Sequence, residues 1–360
     1  MSTLNCTKIQ HETGVGDNIT LDTSGNVEIA GNLEVGGDVE VAGTSDLNGD
    51  VDVDGDIVAS GDVQMASLNG GQLAGFRNLL INGDFRVWQR FGRTQTLNSS
   101  SFLADRWSVN FTGTSIVGDQ NVVDGNYRLT VATTGVSEAR LEQKIEAQNC
   151  RWLINKQVTL SFYTTCANPK IILNVRNGSN ASESITGGYI SPVSGANNLW
   201  TWTGTITTSD GEIGNTSNGR GIEFALSFDD QATSLPNATY EFWNFQLEPG
   251  PVATPFEHRS IGIEGMLCAR YYFAFNTTYS GPNNYALADS TDLTIFNYVA
   301  APFFRAVPSI TLTRTGAISG LAGEPTTGLI SSTGFFIKAD KNGGSGGFNW
   351  QGTITADAEL

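Results

Sequence analysis

Odd-numbered positions from Gly25 to Met65 are apolar or glycine throughout, apart from Ser45, while even-numbered positions are mostly Asp, Glu, Asn or Ala. A period of two predicts strand with one hidden and one wet face. Glycine recurs at every sixth residue: Gly25, Gly31, Gly37, Gly43, Gly49, Gly55 and Gly61. Between the glycines lie the pairs Val27/Ile29, Leu33/Val35, Val39/Val41, Val51/Val53 and Val63/Met65, with weaker copies at Ser45/Leu47 and Ile57/Ala59. Glycine permits a tight corner, so short sides joined at glycines predict a three-sided β-helix. Seven hexads make little more than two coils of a single-chain helix, too few to cover a core. Three chains wound about one axis each supply one side of every layer. The expected element is therefore an intertwined trimeric stem, about 34 Å long at the ~4.8 Å strand spacing. Its core would be Val27, Ile29, Leu33, Val35, Val39, Val41, Leu47, Val51, Val53, Ile57 and Val63.

After the stem the pattern becomes that of separate strands divided by turns. Expected strands are Val122–Val131 with a turn at Asp124-Gly125, Gln157–Thr165, Ile171–Val175, Leu199–Thr207, Ile222–Phe228 and Tyr240–Leu247. This spacing fits a β-sandwich or jelly roll. Ile261–Cys268 reads as one short helical turn. A further β domain holds Arg270–Asn276, Leu293–Val299, Ser309–Arg314, Phe335–Ala339 and Gly347–Thr355. The expected order is an attachment segment (1–24), the stem (25–66), a glycine-rich joint (67–77), a carbohydrate-binding-module-like β-sandwich (78–259), a connector (260–268) and a C-terminal β domain forming a distal tip (269–360). The fold class is mainly β.

Charge narrows the partners. The chain carries 20 basic and 36 acidic residues, a net charge of −16. Residues 1–76 contribute −12 of it, from one basic residue and 13 acids. Such a chain, without a basic cluster, is a poor ligand for nucleic acid or anionic membrane. No secretory signal opens the sequence, and no apolar run reaches the ~18 residues of a membrane span. The four cysteines, Cys6, Cys150, Cys166 and Cys268, are widely spaced and read as free buried thiols. Asp50-x-Asp52-x-Asp54-Gly55 copies the first half of a calcium loop, but Gly61 replaces the bidentate Glu required at its end. The residues are in hexad register, so neither metal nor cofactor is expected. No P-loop, dinucleotide or nucleophile-elbow pattern is present.

Several phrases resemble tail-fibre and other virion structural proteins of tailed bacteriophages, including those of marine bacteria and cyanobacteria. They are Asn78–Arg90 (NLLINGDFRVWQR), Ala104–Trp107 (ADRW), Phe245–Gly250 (FQLEPG), Ala253–Arg259 (ATPFEHR), Cys268–Tyr272 (CARYY) and Ala356–Leu360 (ADAEL). The resemblance spans roughly residues 78–360. It implies a homotrimeric fibre whose middle domain is a carbohydrate-binding-like β-sandwich, and it identifies no ligand. The N-terminal segment, at the end of the stem opposite the large domains, is the expected attachment point to another virion protein, and a bacterial surface glycan or protein is the expected target. Two alternatives stay open: a purely structural head, capsid or baseplate component, and a fibre that cleaves polysaccharide. No carboxylate pair stands out for the latter, so no enzyme is expected.

Indole faces stack on sugars, which makes tryptophans the first contact candidates. Trp200 and Trp202 share a strand face. They are candidates if that face is wet and core if it is not. Trp350, with Asn342 and Asn349, borders the glycine loop Lys341–Gly347 at the expected tip. Trp88, Trp107, Trp152 and Trp243 read as core.

Overall fold

The structure, a computed structural model, describes residues 8–9, 19–21, 26–29, 32–48, 50–58, 76–90, 92–214, 219–228, 235–281, 286–287, 294–300, 304–316, 318–340 and 348–359. It divides into two compact units, Met1–Gln64 and Met65–Leu360.

In the first unit, β1 (Lys8–Ile9), β2 (Ile19–Leu21) and β3 (Val27–Ile29) form a small antiparallel sheet. The described residues from Asn32 to Val58 carry no strand pairing. The β-helix expected here is not formed by the single chain. The apolar row from Val27 to Ile57 lies open instead, each large member 37–78% exposed. Among the described residues nothing covers this row. Val63 lies outside the described residues.

The second unit begins with β4 (Thr94–Leu97), β5 (Ser101–Phe102) and the long hairpin of β6 (Ser108–Val123) and β7 (Asn126–Glu146). Helix α1 (Ala147–Cys150) follows. Next come β8 (Gln157–Thr164), β9 (Lys170–Arg176), β10 (Ser182–Ser184), β11 (Val193–Ser194), β12 (Leu199–Thr205), β13 (Arg220–Ser227) and β14 (Thr239–Pro249). The hairpin turns at Asp124-Gly125, both with positive φ (50° and 78°), the mirror-type turn that suits twisted strands.

Midway, the hairpin bends. A register shift falls between Thr112 and Gly113. Across from it, Gly135 has φ 59° and Gly113 has φ 147°. A Cβ on Gly113 would lie 2.3 Å from the Gly135 carbonyl oxygen, so only glycine lets the strands fold over here. Before the bend β7 pairs with β14, and beyond it with β13. One curled antiparallel sheet thus becomes two layers. The first runs β4–β6–β7–β14–β8–β12–β11 and the second β5–β6–β7–β13–β9–β10. Phe224 of β13 meets Phe245 of β14, ring centroids 6.0 Å apart, across the space between the layers. Phe85, Trp107 and Phe162 complete this aromatic core.

Helix α2 (Ile261–Ala269), capped by the Ser260 hydroxyl, is longer than the single turn expected. The C-terminal lobe contains β15 (Tyr272–Gly281), β16 (Ala286–Leu287), β17 (Thr294–Ala300), β18 (Ser309–Arg314), β19 (Thr326–Ser331), β20 (Gly334–Asp340) and β21 (Phe348–Asp357). These make two antiparallel sheets, β15–β21–β18 and β16–β17–β20–β19. Phe304, Phe335, Ile337, Trp350 and Ile354 pack together as its core.

The phrases that carry the family resemblance converge on one buried polar junction. The Asn78 side chain bonds the backbone of Leu80, Leu247 and Phe245. Glu257 accepts the N–H groups of Arg77 and Asn78. Arg259 donates to the Asn78 and Leu80 carbonyls and pairs with Glu257 and Glu264. Asn82 bonds Val87 and the Asp105 carbonyl, and Trp107 donates its indole N–H to the Asn82 carbonyl at 2.8 Å. Arg106 lies 3.5 Å over the Tyr271 ring and pairs with Glu359. Arg90 reaches Asp357 at 3.1 Å and Glu359 at 3.0 Å from a slot between Phe102 and Tyr272.

Two predictions follow from this junction. Glu359→Ala leaves Arg106 buried with its charge uncompensated, a loss of about 3–5 kcal/mol, visible as a lower denaturant midpoint. An unchanged midpoint would show that the junction does not depend on this pair. The second concerns pH. Burial holds the Asp105 carboxyl up at about 6, against an ordinary 3.8, despite hydrogen bonds from Gln89. Between those values the native state keeps a proton that the unfolded chain has released. The stabilisation is full below about pH 4 and is lost as pH rises through 6. Relative to the parent, Asp105→Asn should therefore gain stability from about pH 4 to pH 7, by about 3 kcal/mol at most. A pH-independent difference between the two would refute the assignment.

Candidate functional site

Register decides the fate of the predicted platform. Trp200 pairs with Phe162 and Trp202 with Leu160 across β12 and β8. Residues directly opposite share a face, and Phe162 and Leu160 are wholly buried. Trp200 and Trp202 therefore point inward and pack on the sandwich core as half-buried residues. Trp202 fills the space left by the missing side chain of Gly204, whose Cβ would lie 2.3 Å from the indole. The two do not form a solvated platform.

Trp350 is also corrected. It is wholly buried, its indole N–H donates to Glu324 at 2.9 Å, and Gly352 makes room for its ring. It belongs to the core of the C-terminal lobe and is not available for contact. Asn349 is half-buried and is tied through its backbone to Ser319. Asn342 and the rest of the loop Lys341–Gly347 lie outside the described residues. Among the residues read as core, Trp107 and Trp243 are buried and Trp88 is half-buried.

The outer faces of the two layers are closed by their own side chains. On the first, Trp243 stacks on Tyr163 with centroids 5.3 Å apart, beneath the Arg128 guanidinium. Arg128 pairs in turn with Glu241. On the second, Arg176 meets Glu223 at 3.2 Å, and Arg140 meets Glu138, Glu142 and the Tyr189 hydroxyl. Among the described residues no group of three or more His, Cys, Asp or Glu is placed to hold a metal ion. Cys150, Cys166 and Cys268 are buried thiols outside any disulfide, and burial pushes the Cys150 thiol up to about 12.

Trp152, expected in the core, is instead exposed, at 40%. The short helical segment after β7 explains this. Ala147, Cys150 and Leu153 recur every third residue and are buried, anchoring α1 and the 3₁₀ turn Arg151–Leu153. The intervening Gln148, Asn149, Arg151 and Trp152 must then face out. With Phe76, itself 49% exposed, Trp152 borders a cleft of about 360 Å³. Asn78, Leu79, Ile81, Gln148, Asn149, Arg259 and Leu267 complete its lining. The Trp152 indole N–H donates to the Asn149 carbonyl at 3.1 Å, which fixes the ring. Arg259 is the charged residue of the lining, and Glu257 (3.3 Å) and Glu264 (3.4 Å) compensate it. Its guanidinium also lies 5.0 Å from the Phe76 ring centroid. The period of three in Ala147–Leu153 was the sequence signal for this site. The segment is too short for a helical pattern to stand out along the sequence.

No protein-family profile and no curated relative matches the sequence. Several solved structures are similar at low identity. The enzymatically active domain of tailspike protein 4 from bacteriophage CBA120 is 12% identical over 48% of this chain, with a TM-score of 0.28. The match spans 21% of the tailspike chain. The CBM22-1 xylan-binding domain of Xyn10C from Paenibacillus barcinonensis is 13% identical over 44% of this chain and 94% of its own, with a TM-score of 0.26. Discoidin II from Dictyostelium discoideum is 13% identical over 68% of this chain and 81% of its own, with a TM-score of 0.20.

Proposed function

We propose that this chain is a homotrimeric, fibre-like virion protein of a tailed bacteriophage that attaches to a glycan on the host surface. The observation that carries the reading is the open apolar row of the first unit. Ten large aliphatic side chains from Val27 to Ile57, all in one register, are solvent-exposed in the single chain. A contiguous exposed row of this kind marks an association surface. A strict short repeat is best covered by copies of itself. The phrases resembling phage fibres supply the context, and the β-sandwich with its open cleft supplies a receptor-facing module. In this reading the protein binds and does not cleave, and the N-terminal segment docks on another virion protein.

The test combines assembly with adsorption. The full chain should run as a trimer by size exclusion with light scattering, and it should compete with phage for host cells. Val39→Asp should give a monomer, because three copies would otherwise bury three carboxylates around one axis at several kcal/mol each. Its circular dichroism should keep the sandwich signal. A monomeric parent chain would sink the trimer. A trimer that neither binds host cells nor competes would favour a purely structural virion component.

A further inference from the structure

We propose that the cleft between Phe76, Trp152 and Leu267 is a subsite for a neutral pyranose unit of the host glycan. The inference rests on the attachment reading above and names the place and chemistry of the contact. Four observations converge on it. The cleft, at about 360 Å³, is at the small end of ligand pockets and has room for one or two sugar rings. Its wall is an indole whose N–H is already taken by the Asn149 carbonyl, so what Trp152 offers a ligand is its face. A sugar ring presents a matching face of C–H groups.

The polar rim is made of Asn149 and of Gln148, whose amide nitrogen also donates to the Glu146 carboxylate and keeps its carbonyl oxygen and second N–H for a ligand. A carboxamide both donates and accepts, which is what hydroxyl groups require. Finally, among the described residues the cleft lining offers no unpaired cation, because Arg259 is paired with both Glu257 and Glu264. A phosphate or uronate would find no free cation there. Rigidity adds to the fit, since the segment bearing Trp152 is pinned from beneath by Ala147, Cys150 and Leu153.

The probes are the methyl pyranosides of glucose, galactose, mannose and xylose, with methyl glucuronide as the acidic comparison. Binding to the full-length protein is followed by saturation-transfer NMR and tryptophan fluorescence. At least one neutral pyranoside should bind at millimolar strength, and the glucuronide should bind no better. Trp152→Ala should weaken binding by about tenfold or more while the protein stays assembled with an unchanged melting temperature. Asn149→Ala, at an exposed position, serves as a second variant and should also weaken binding.

Equal binding by both variants would overturn the proposal. So would binding of host cells by a protein that recognises none of the neutral probes, an outcome that leaves the attachment reading intact. If Trp152→Ala instead dissociates the assembly, the cleft is a contact between copies and the subsite is refuted. A protein that binds neither cells nor sugars fails both readings.

Discussion

The head of this molecule is organised by buried guanidinium groups. Arg106 and Arg259 are almost completely enclosed, and neither could be without its carboxylates, because an isolated buried charge is prohibitive. A buried ion pair contributes little net stability over a well-packed apolar substitute. Its value is geometric. Arg259 ties the lead segment at Asn78 and Leu80 to α2 through Glu264. Arg106 and Arg90 tie the sandwich to the segment just after the last strand through Glu359. Each pair is satisfied in one arrangement only, so together they fix how the lead segment, sandwich, helix and C-terminal lobe meet.

A consequence is that the C-terminal lobe leaves and returns at the same place. Tyr272, its first strand residue, lies opposite Asp357 in β21, and Arg90 holds both, by a ring contact to one and an ion pair to the other. Everything from Phe273 to Ala356 is hung from this clamp. The lobe has its own core around Trp350, separate from that of the sandwich. The family-like phrases lie at the junction. They are the residues that every part of the head must satisfy together.

Much of the strand order was legible because alternation reports directly on a half-buried sheet. Asp124-Gly125, β8, β9, β13 and β14 stand where the alternating pattern puts them. The bend in the β6–β7 hairpin was not legible. Gly113 and Gly135 are single glycines among many, and what makes them necessary is their approach to each other, which no local pattern encodes. The tryptophans show the same limit. Spacing places Trp200 and Trp202 on one face, but only pairing with Phe162 and Leu160 says that the face is the inner one. Trp350 follows a glycine loop, yet Gly352 two residues later is what lets its ring lie flat in the core. Trp152 was misassigned for the opposite reason. Its apolar neighbours Leu153 and Ile154 mark a core, and three-residue periodicity turns the indole away from it.

The open stem and the small cleft belong to one argument about affinity. A cleft with one indole wall and two carboxamides holds a sugar weakly, because little area is buried and water competes for each hydroxyl. Weak contacts become useful when copies are joined, since the second and third contacts are made at a high effective concentration. On the trimeric reading proposed above, the hexad repeat would do this joining without specifying a ligand. Its apolar positions would be covered by the equivalent positions of other copies, while its acidic positions would discourage lateral sticking between assemblies. In the proposed trimer, three such subsites would turn millimolar single contacts into a firm grip. On that reading the most regular stretch of the sequence serves assembly and a few irregular residues serve recognition.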